Sequence, residues 1–370
     1  MNLSEVQIRS SALTHNAKVL RQLCKPGTQF AAVVKGNAYG HGVSDLVQHL
    51  HPLVDAFQVD DIEELRIVRS LTDHPILVLG YVRAADVSEA IHLGGELAVY
   101  DTERLGAISQ AAKQVGIRAK VHLKVDALLG RQGLLPKDIP AFIDALKPHA
   151  GIEITSVYAH FANIEDTTDL GHAQRQLEAF DDAVAALSGA GLQGTHRHIS
   201  ATSGLMTVEQ GNHMVRVGLG IYGMYPSASL SRTHSDLELR PVMRWVSHLA
   251  QVKVLPARHP VGYGLTYITP REMRIGIVPQ GYADGYDRGL SSSGEVLVRG
   301  VRCSVLGRVA MNMFAIDLSA VPEAKPEDEV VLLGDQGDDL ITAEEIALRL
   351  GTINYEVTTR VSPLLPRRIV

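Results

Sequence analysis

Short apolar runs recur along the first part of the chain, and each is followed by a stretch whose apolar positions return every three or four residues. Phe30-Ala31-Ala32-Val33-Val34, Ala56-Phe57-Gln58-Val59, Ile76-Leu77-Val78-Leu79 and Leu97-Ala98-Val99-Tyr100 open the series, and residues 119–125, 154–160, 197–200 and Val215-Arg216-Val217 continue it. Runs of this length predict strands covered on both faces, as in a parallel sheet. The stretches between them predict helices. The first is capped by Ser10 or Ser11, with an apolar face of Leu13, Ala17, Leu20 and Leu23. Asp60 is placed to cap another, with Glu63 completing a capping box. Further helices are expected over 102–115 and 139–146, on a stripe of Leu177, Phe180, Val184 and Leu187, and near 205–208. Eight strand-then-helix units predict an α/β fold, a TIM-type (β/α)8 barrel. An open doubly wound sheet is the alternative, but the glycine-rich phosphate fingerprint it needs after its first strand is replaced here by a lysine.

After Pro241 the pattern changes. Residues 242–255, 274–278, 294–306, 314–318 and 329–333 read as strands separated by Gly, Pro and Ser turns. One helix is expected to start at Thr342, with Glu345 as its capping-box partner, and to stop at Gly351. The sequence thus predicts a barrel over residues 1–235 and a mostly β domain over 236–370, the junction falling in the polar stretch between Pro226 and Pro241.

Composition narrows the function classes. The chain has 370 residues, 45% hydrophobic and 21% charged, with a net charge of −6, which gives no footprint for nucleic acid or an anionic membrane. Cys24 and Cys303 lie far apart and form no metal-ligand cluster, so a reducing, cytoplasmic setting is expected and no metal is. The opening MNLSEVQIRSSALTHNAKVL lacks the apolar core of a signal peptide, and no stretch approaches a membrane span.

Chemistry enters at FAAVVKGNAYGHG. Lys35 ends a buried strand, where its ammonium must be desolvated, paired or chemically used. A desolvated lysine amine is a nucleophile suited to Schiff-base formation. Lys35, Lys124, His160, Ser200 and Arg216 all fall at or just beyond predicted strand ends, the side of such a barrel where active sites lie. The motif VVKGNAYGHG resembles the cofactor-lysine motif of the alanine racemases, and further matches follow in order to the C-terminus.

The resemblance implies pyridoxal 5'-phosphate (PLP) as cofactor, held covalently by Lys35. It implies Arg216, in MVRVGLGIYG, as partner of the ring nitrogen, and Tyr39, Ser200, the backbone at Gly218 and Leu219, and Tyr355 as phosphate ligands. Racemisation needs a base on each face of the substrate. The resemblance assigns Lys35 to one face and Tyr263, in PVGYGLTY, to the other, with His160 and Arg216 behind the tyrosine. In the family that tyrosine comes from the partner chain, which implies a homodimer. Arg131 would hold the substrate carboxylate, Lys124 would carry a carbamate orienting it, and Tyr282 and Met311 would line the substrate entrance. Asn312 departs from the family's usual aspartate and bears on substrate range. The function so implied is interconversion of L- and D-alanine, supplying D-alanine for peptidoglycan. A broader racemase accepting serine, a barrel-type decarboxylase and a non-catalytic cofactor carrier are the alternatives. Arg216, where a decarboxylase would want an acid, and the β domain with Tyr263 weigh against the last two.

Overall fold

In the computed structural model, residues 3–165, 167–208 and 211–370 are described. A strand unread in the sequence comes first: β1 (Glu5–Ile8). The barrel strands follow as β2 (Gln29–Val33), β3 (Ala56–Val59), β4 (Ile76–Val78), β5 (Gly95–Val99), β6 (Ala119–Lys124), β7 (Ile152–Tyr158), β8 (His196–His198) and β9 (Met214–Val217). All neighbouring pairs are parallel, in the order β8-β7-β6-β5-β4-β3-β2-β9. The last gap, between β8 and β9, is bridged by the parallel pair Ala201↔Arg216, with Arg216 N–H donating to the Ser200 carbonyl at 3.0 Å. The result is a nearly closed (β/α)8 barrel, as the alternation of strand and helix predicts. Phe30, Ala31, Ala32, Phe57, Val59, Val78, Val99, Leu123, Val157 and Val217 are buried, which is why these strands read as unbroken apolar runs.

The chain divides into two units. One contains residues Thr14–Gly36 and Val43–Leu239, the barrel; the other contains residues 3–13, Asn37–Gly42 and Arg240–Val370. The second unit holds β10 (Met243–His248), β11 (Gln251–Leu255), β12 (Pro260–Val261), β13 (Tyr267–Ile268), β14 (Met273–Val278), β15 (Glu295–Val298), β16 (Val301–Leu306), β17 (Phe314–Asp317), β18 (Glu329–Gln336), β19 (Asp339–Ile341) and β20 (Arg367–Ile369). Its main sheet runs β11-β14-β17-β16-β15-β18-β10-β1-β20, with β19 on β18. Thus β1 lies between β10 and β20 in this sheet, antiparallel to the first and parallel to the second.

Several local expectations shift by a residue or more. The expected run 294–306 is two strands joined at Arg299 and Gly300, both at positive φ (52° and 78°), the geometry of a tight hairpin turn. The capping box expected from Asp60 and Glu63 is made by Asp61, whose Oδ1 accepts from Glu64 N–H at 2.9 Å, while Glu64 Oε2 accepts from Asp60 N–H at 2.8 Å. On the helix Gly171–Gly189 the buried stripe is Ala173, Gln176, Phe180, Ala183 and Leu187, so Leu177 and Val184 lie only at its edge. Gln176 sits within that stripe because its amide is fully used: it donates to the carbonyls of Ala127 and His160 and accepts from Ala162 N–H. Thr342 and Glu345 form the expected cap, with Glu345 N–H at 3.0 Å from Thr342 Oγ1, and Gly351 ends the helix at φ 66°.

Candidate active site

Lys35 begins a single helical turn, Lys35–Tyr39, that is left-handed: Gly36, Asn37, Ala38 and Tyr39 have φ of 63°, 54°, 53° and 53°. Three consecutive non-glycine residues in this region cost about 1–2 kcal/mol each, so the turn must be held from outside. Within the second unit, His41 Nδ1 lies 3.0 Å from the carbonyls of both Ala38 and Tyr39, and Gly42 N–H donates to Asn37 O at 3.0 Å. Arg367 reaches the Gly40 carbonyl at 2.8 Å. A carbonyl can only accept, so Nδ1 of His41 carries the proton, and complete burial lowers this imidazole's pKa to about 4. In the barrel, Lys35 Nζ donates to Asp60 Oδ1 at 3.1 Å, and both side chains are roughly half exposed.

Arg216 lies inside the barrel, 4% exposed. Its NH1 donates to His198 Nδ1 (2.8 Å) and His198 O (3.1 Å). Its NH2 donates to Ala159 O (2.8 Å), Ile199 O (3.0 Å) and His160 Nδ1 (3.1 Å). Every one of these partners is neutral, and none of these contacts uses Nε. Burial lowers the guanidinium's pKa to about 10, which leaves it charged near neutrality. A guanidinium can only donate, so His160 Nδ1 accepts and its proton sits on Nε2. Burial first, then the charges of Arg216, Arg131, Lys124 and Lys35, bring the His160 pKa down to about 3, so the ring is neutral.

Lys124 ends β6, buried, with Nζ donating to Gln132 Oε1 at 3.0 Å and lying over the Tyr158 ring. Burial, followed by Arg131, Arg216 and Lys35, lowers its pKa to about 8. Arg131 is exposed on the loop that follows, which Asp126 organises by accepting from the N–H groups of Leu129 and Gly130. The Tyr158 hydroxyl is buried without a hydrogen-bond partner among the described residues. Ser200 is buried, and its Oγ accepts from Asn212 at 3.2 Å. Gly218 precedes the short 3-10 turn Leu219–Tyr222, whose first N–H groups have no acceptor within the turn.

The second unit gathers its own group. Tyr39 and Tyr355 meet with ring centroids 6.1 Å apart, Tyr355 standing on the short helix Asn354–Thr359. Tyr263 is 72% exposed on a 3-10 turn, and Tyr282 and Met311 are also exposed. Tyr282 N–H donates to Ala310 O and Ala283 N–H to Met311 O, which pins the two loops together. Asn312 Nδ2 donates to Asp284 Oδ2 at 3.3 Å. An aspartate at 312 would set a second carboxylate against that of Asp284, where the amide can donate.

The structure therefore brings Lys35, Lys124, Arg131, His160, Ser200, Arg216, Gly218 and Leu219 to the barrel's C-terminal strand ends, and pairs Tyr39 with Tyr355 in the other unit. Sequence reasoning missed Asp60, Gln132, Gln176 and the inner histidines His122 and His198. Of these, His122 was findable: it lies two residues before Lys124 on one strand, hence on the same inward face. Gln132 carried no such signal, because its role arises only from how the loop folds back.

Comparison with known proteins bears on the whole chain. The family models for the N-terminal and the C-terminal domain of alanine racemase match residues 8–226 and 242–369. The alanine racemase of Syntrophobacter fumaroxidans is 37% identical over 357 residues, covering 96% of this chain and 94% of that one. That of Desulfovibrio desulfuricans is 35% identical, covering 98% and 96%. Among solved structures, alanine racemase from Streptomyces lavendulae superposes with a TM-score of 0.94 at 33% identity, covering 100% of this chain and 97% of that one. The Bacillus anthracis alanine racemase with bound L-Ala-P gives 0.92 at 30%, covering 100% and 95%. With both domains matched in order and the barrel-plus-β fold shared throughout, this chain is an isomerase and belongs to the alanine racemase family.

Proposed function

We infer that the protein is a PLP-dependent racemase interconverting L- and D-alanine by a two-base mechanism, and that it supplies D-alanine for peptidoglycan. The observation that carries this reading is Arg216: a buried cation, held by five contacts to neutral acceptors through NH1 and NH2, with Nε left over. That is the donor set a pyridine nitrogen requires. The Tyr158 hydroxyl, which has no hydrogen-bond partner among the described residues, and the lysine just past β2 fit the same group. Lys35 would hold PLP covalently. Tyr39, Ser200, Tyr355 and the backbone at Gly218 and Leu219 would hold its phosphate. Bound there, PLP supplies the electron sink that acidifies the substrate's Cα–H.

The remaining work falls to the chain's own side chains. Arg216 remains protonated near neutral pH, so it hydrogen-bonds without giving up its proton and keeps that sink weak, which favours reprotonation at Cα over side reactions. His160 presents Nε2–H and stays neutral, so it can donate to a phenolate. Tyr263 of the partner subunit is that phenol, the base on the face opposite Lys35, and its exposure in the single chain fits a residue completed by a homodimer. Arg131 holds the substrate carboxylate. A carbamate on Lys124 would give the surrounding cations an anion to pair with.

The test is a racemisation assay on single-enantiomer amino acids in deuterated water, with borohydride reduction of the holoenzyme followed by peptide mass spectrometry. Alanine should racemise, and a pyridoxyl group should be fixed on Lys35. Tyr263→Phe should lose far more activity in one direction of proton incorporation than in the other. A label absent from Lys35, or no racemisation of any amino acid, overturns the reading.

A further inference from the structure

The contacts of Arg216 continue through the barrel. His198 Nε2 lies 3.0 Å from His122 Nδ1, and His122 Nε2 lies 2.6 Å from Glu96 Oε2. Glu96 is near the start of β5, His122 midway along β6, His198 at the end of β8 and Arg216 on β9. The four side chains thus form a hydrogen-bonded line from the barrel's N-terminal mouth to the catalytic end. At the lower mouth Glu96 opens on a polar groove with Lys120, Glu153, Thr155 and His196, and Lys120 Nζ stands 4.0 Å from Glu96 Oε1.

The direction of every proton in this line is determined. Arg216 can only donate, so His198 Nδ1 must accept. His198 is completely buried, and burial together with Arg216 holds its pKa well below the ordinary imidazole value, so the ring is neutral and its one proton sits on Nε2. That proton points at His122 Nδ1, which must in turn accept. His122 is therefore neutral as well: an imidazolium there would aim a second N–H at His198. Its proton sits on Nε2 and goes to Glu96. Burial works against the charge on Glu96, but the hydrogen bond from His122 and the nearby Lys120 ammonium keep the carboxyl below its usual range. Tyr158 stacks on His198 at 5.0 Å and 6°, which holds the ring in line.

We propose that Glu96 is a positioning residue for the reaction: acting through His122 and His198, it fixes both imidazoles in the Nε2–H form so that Arg216 meets only acceptors and keeps its orientation. The line itself stands on contacts alone; its effect on racemisation rests on the reading of Arg216 given above. Without an acceptor at 96, the His122 Nε2–H is left pointing at no partner, which works against the pull of His198 and favours moving that proton to Nδ1. The tautomer that results would set N–H against N–H along the line and disturb Arg216.

The experiment uses nitrogen-15 NMR of histidine-labelled holoenzyme, with His122 and His198 identified by H122Q and H198Q. In the unaltered protein both rings should be neutral with Nδ1 unprotonated; a proton on Nδ1 of His198 overturns the proposal even if no variant folds. E96L should give mixed tautomers at both rings and lower kcat for alanine by up to about tenfold, with KM little changed. That is the lower end of the loss seen when a partner in direct contact with a metal ligand is removed, because two imidazoles stand between Glu96 and Arg216. E96Q keeps an acceptor oxygen and should lose clearly less than E96L, with both tautomers retained. Unchanged tautomers in E96L, or shifted tautomers with unchanged kcat, overturn the positioning role. Absence of racemisation in the unaltered protein with the tautomers as stated would instead fault the functional reading and leave the line intact.

Discussion

At the scale of single residues, Lys124 shows what burial does to chemistry. An amine brought to about pKa 8 by desolvation and by Arg131, Arg216 and Lys35 is partly unprotonated at neutral pH. Only the unprotonated form attacks carbon dioxide, and the carbamate anion replaces a cation among cations, so the environment favours the product. Protein equilibrated with carbon-13 bicarbonate at pH 8 should show one carbamate carbonyl resonance, absent in Lys124→Arg, whose guanidinium does not form it. A spectrum without that resonance would leave Lys124 as a plain lysine donating to Gln132. What the sequence revealed of such residues follows from geometry. Lys124, His160 and Arg216 were legible because they end strands or follow them closely. Asp60 was read only as a cap, because nothing in its surroundings in sequence says that Lys35, 25 positions earlier, stands 3.1 Å away. Glu96 was passed over because a lone carboxylate near the start of a strand has no local mark of what its inward face meets.

At the scale of elements, the left-handed turn after Lys35 was foreshadowed only by its glycines. Periodicity reports which face is buried, and a single turn has no period to report; Asn37, Ala38 and Tyr39 show positive φ only once His41 and Arg367 are seen to hold it. The same limit explains the capping box displaced from Asp60 to Asp61, since adjacent aspartates offer two equivalent frames. The buried barrel strands, by contrast, were legible to within about two residues at each end, because a parallel sheet covered on both faces leaves an unbroken apolar run. The turn yields a graded prediction. Gly36 has φ 63° with open space where a Cβ would go, whereas at Gly40 a Cβ would stand 2.0 Å from the Thr358 carbonyl oxygen, in backbone that cannot yield. Gly36→Ala should therefore cost about 1 kcal/mol, and Gly40→Ala more than twice that, measured by urea denaturation. Equal losses at the two positions would mean that the fit of Gly40 against Thr358 is looser than the structure shows.

At the scale of the whole molecule, buried neutral histidines link folding to pH. The sequence counts 16 histidines but does not say which are neutral, since that depends on burial and on neighbours distant in the chain. His41, in the β unit, is lowered to about 4 by burial; His160, in the barrel, to about 3 by burial and Arg216; and His198 lies well below the ordinary value for the same reasons. The sign follows from linkage. Each folded pKa lies below the unfolded value near 6.5, so as pH falls the unfolded chain takes up the proton first. The stability these rings contribute is present above about pH 6.5 and is lost below it, by about 1.4 kcal/mol per pH unit for each ring. Between pH 6.5 and 5 the surface carboxylates that ion pairs hold below their usual range, Asp86 and Glu89 among them, remain ionised, so the loss in that window reports the histidines. The single tryptophan, Trp245, lies in the β unit, while the barrel carries most of the helix, so two probes separate the contributions. His213, also in the barrel, is lowered by burial and by His196 and Arg197 and adds up to about one more proton. If the units unfold apart, tryptophan fluorescence should show a slope of about one proton and helical circular dichroism about two to three; if they unfold together, both should show about three to four. His41→Gln should remove about one proton from whichever transition Trp245 follows. Stability independent of pH across that window would mean that these imidazoles are already charged in the folded protein, which the donors facing His160 and His198 forbid.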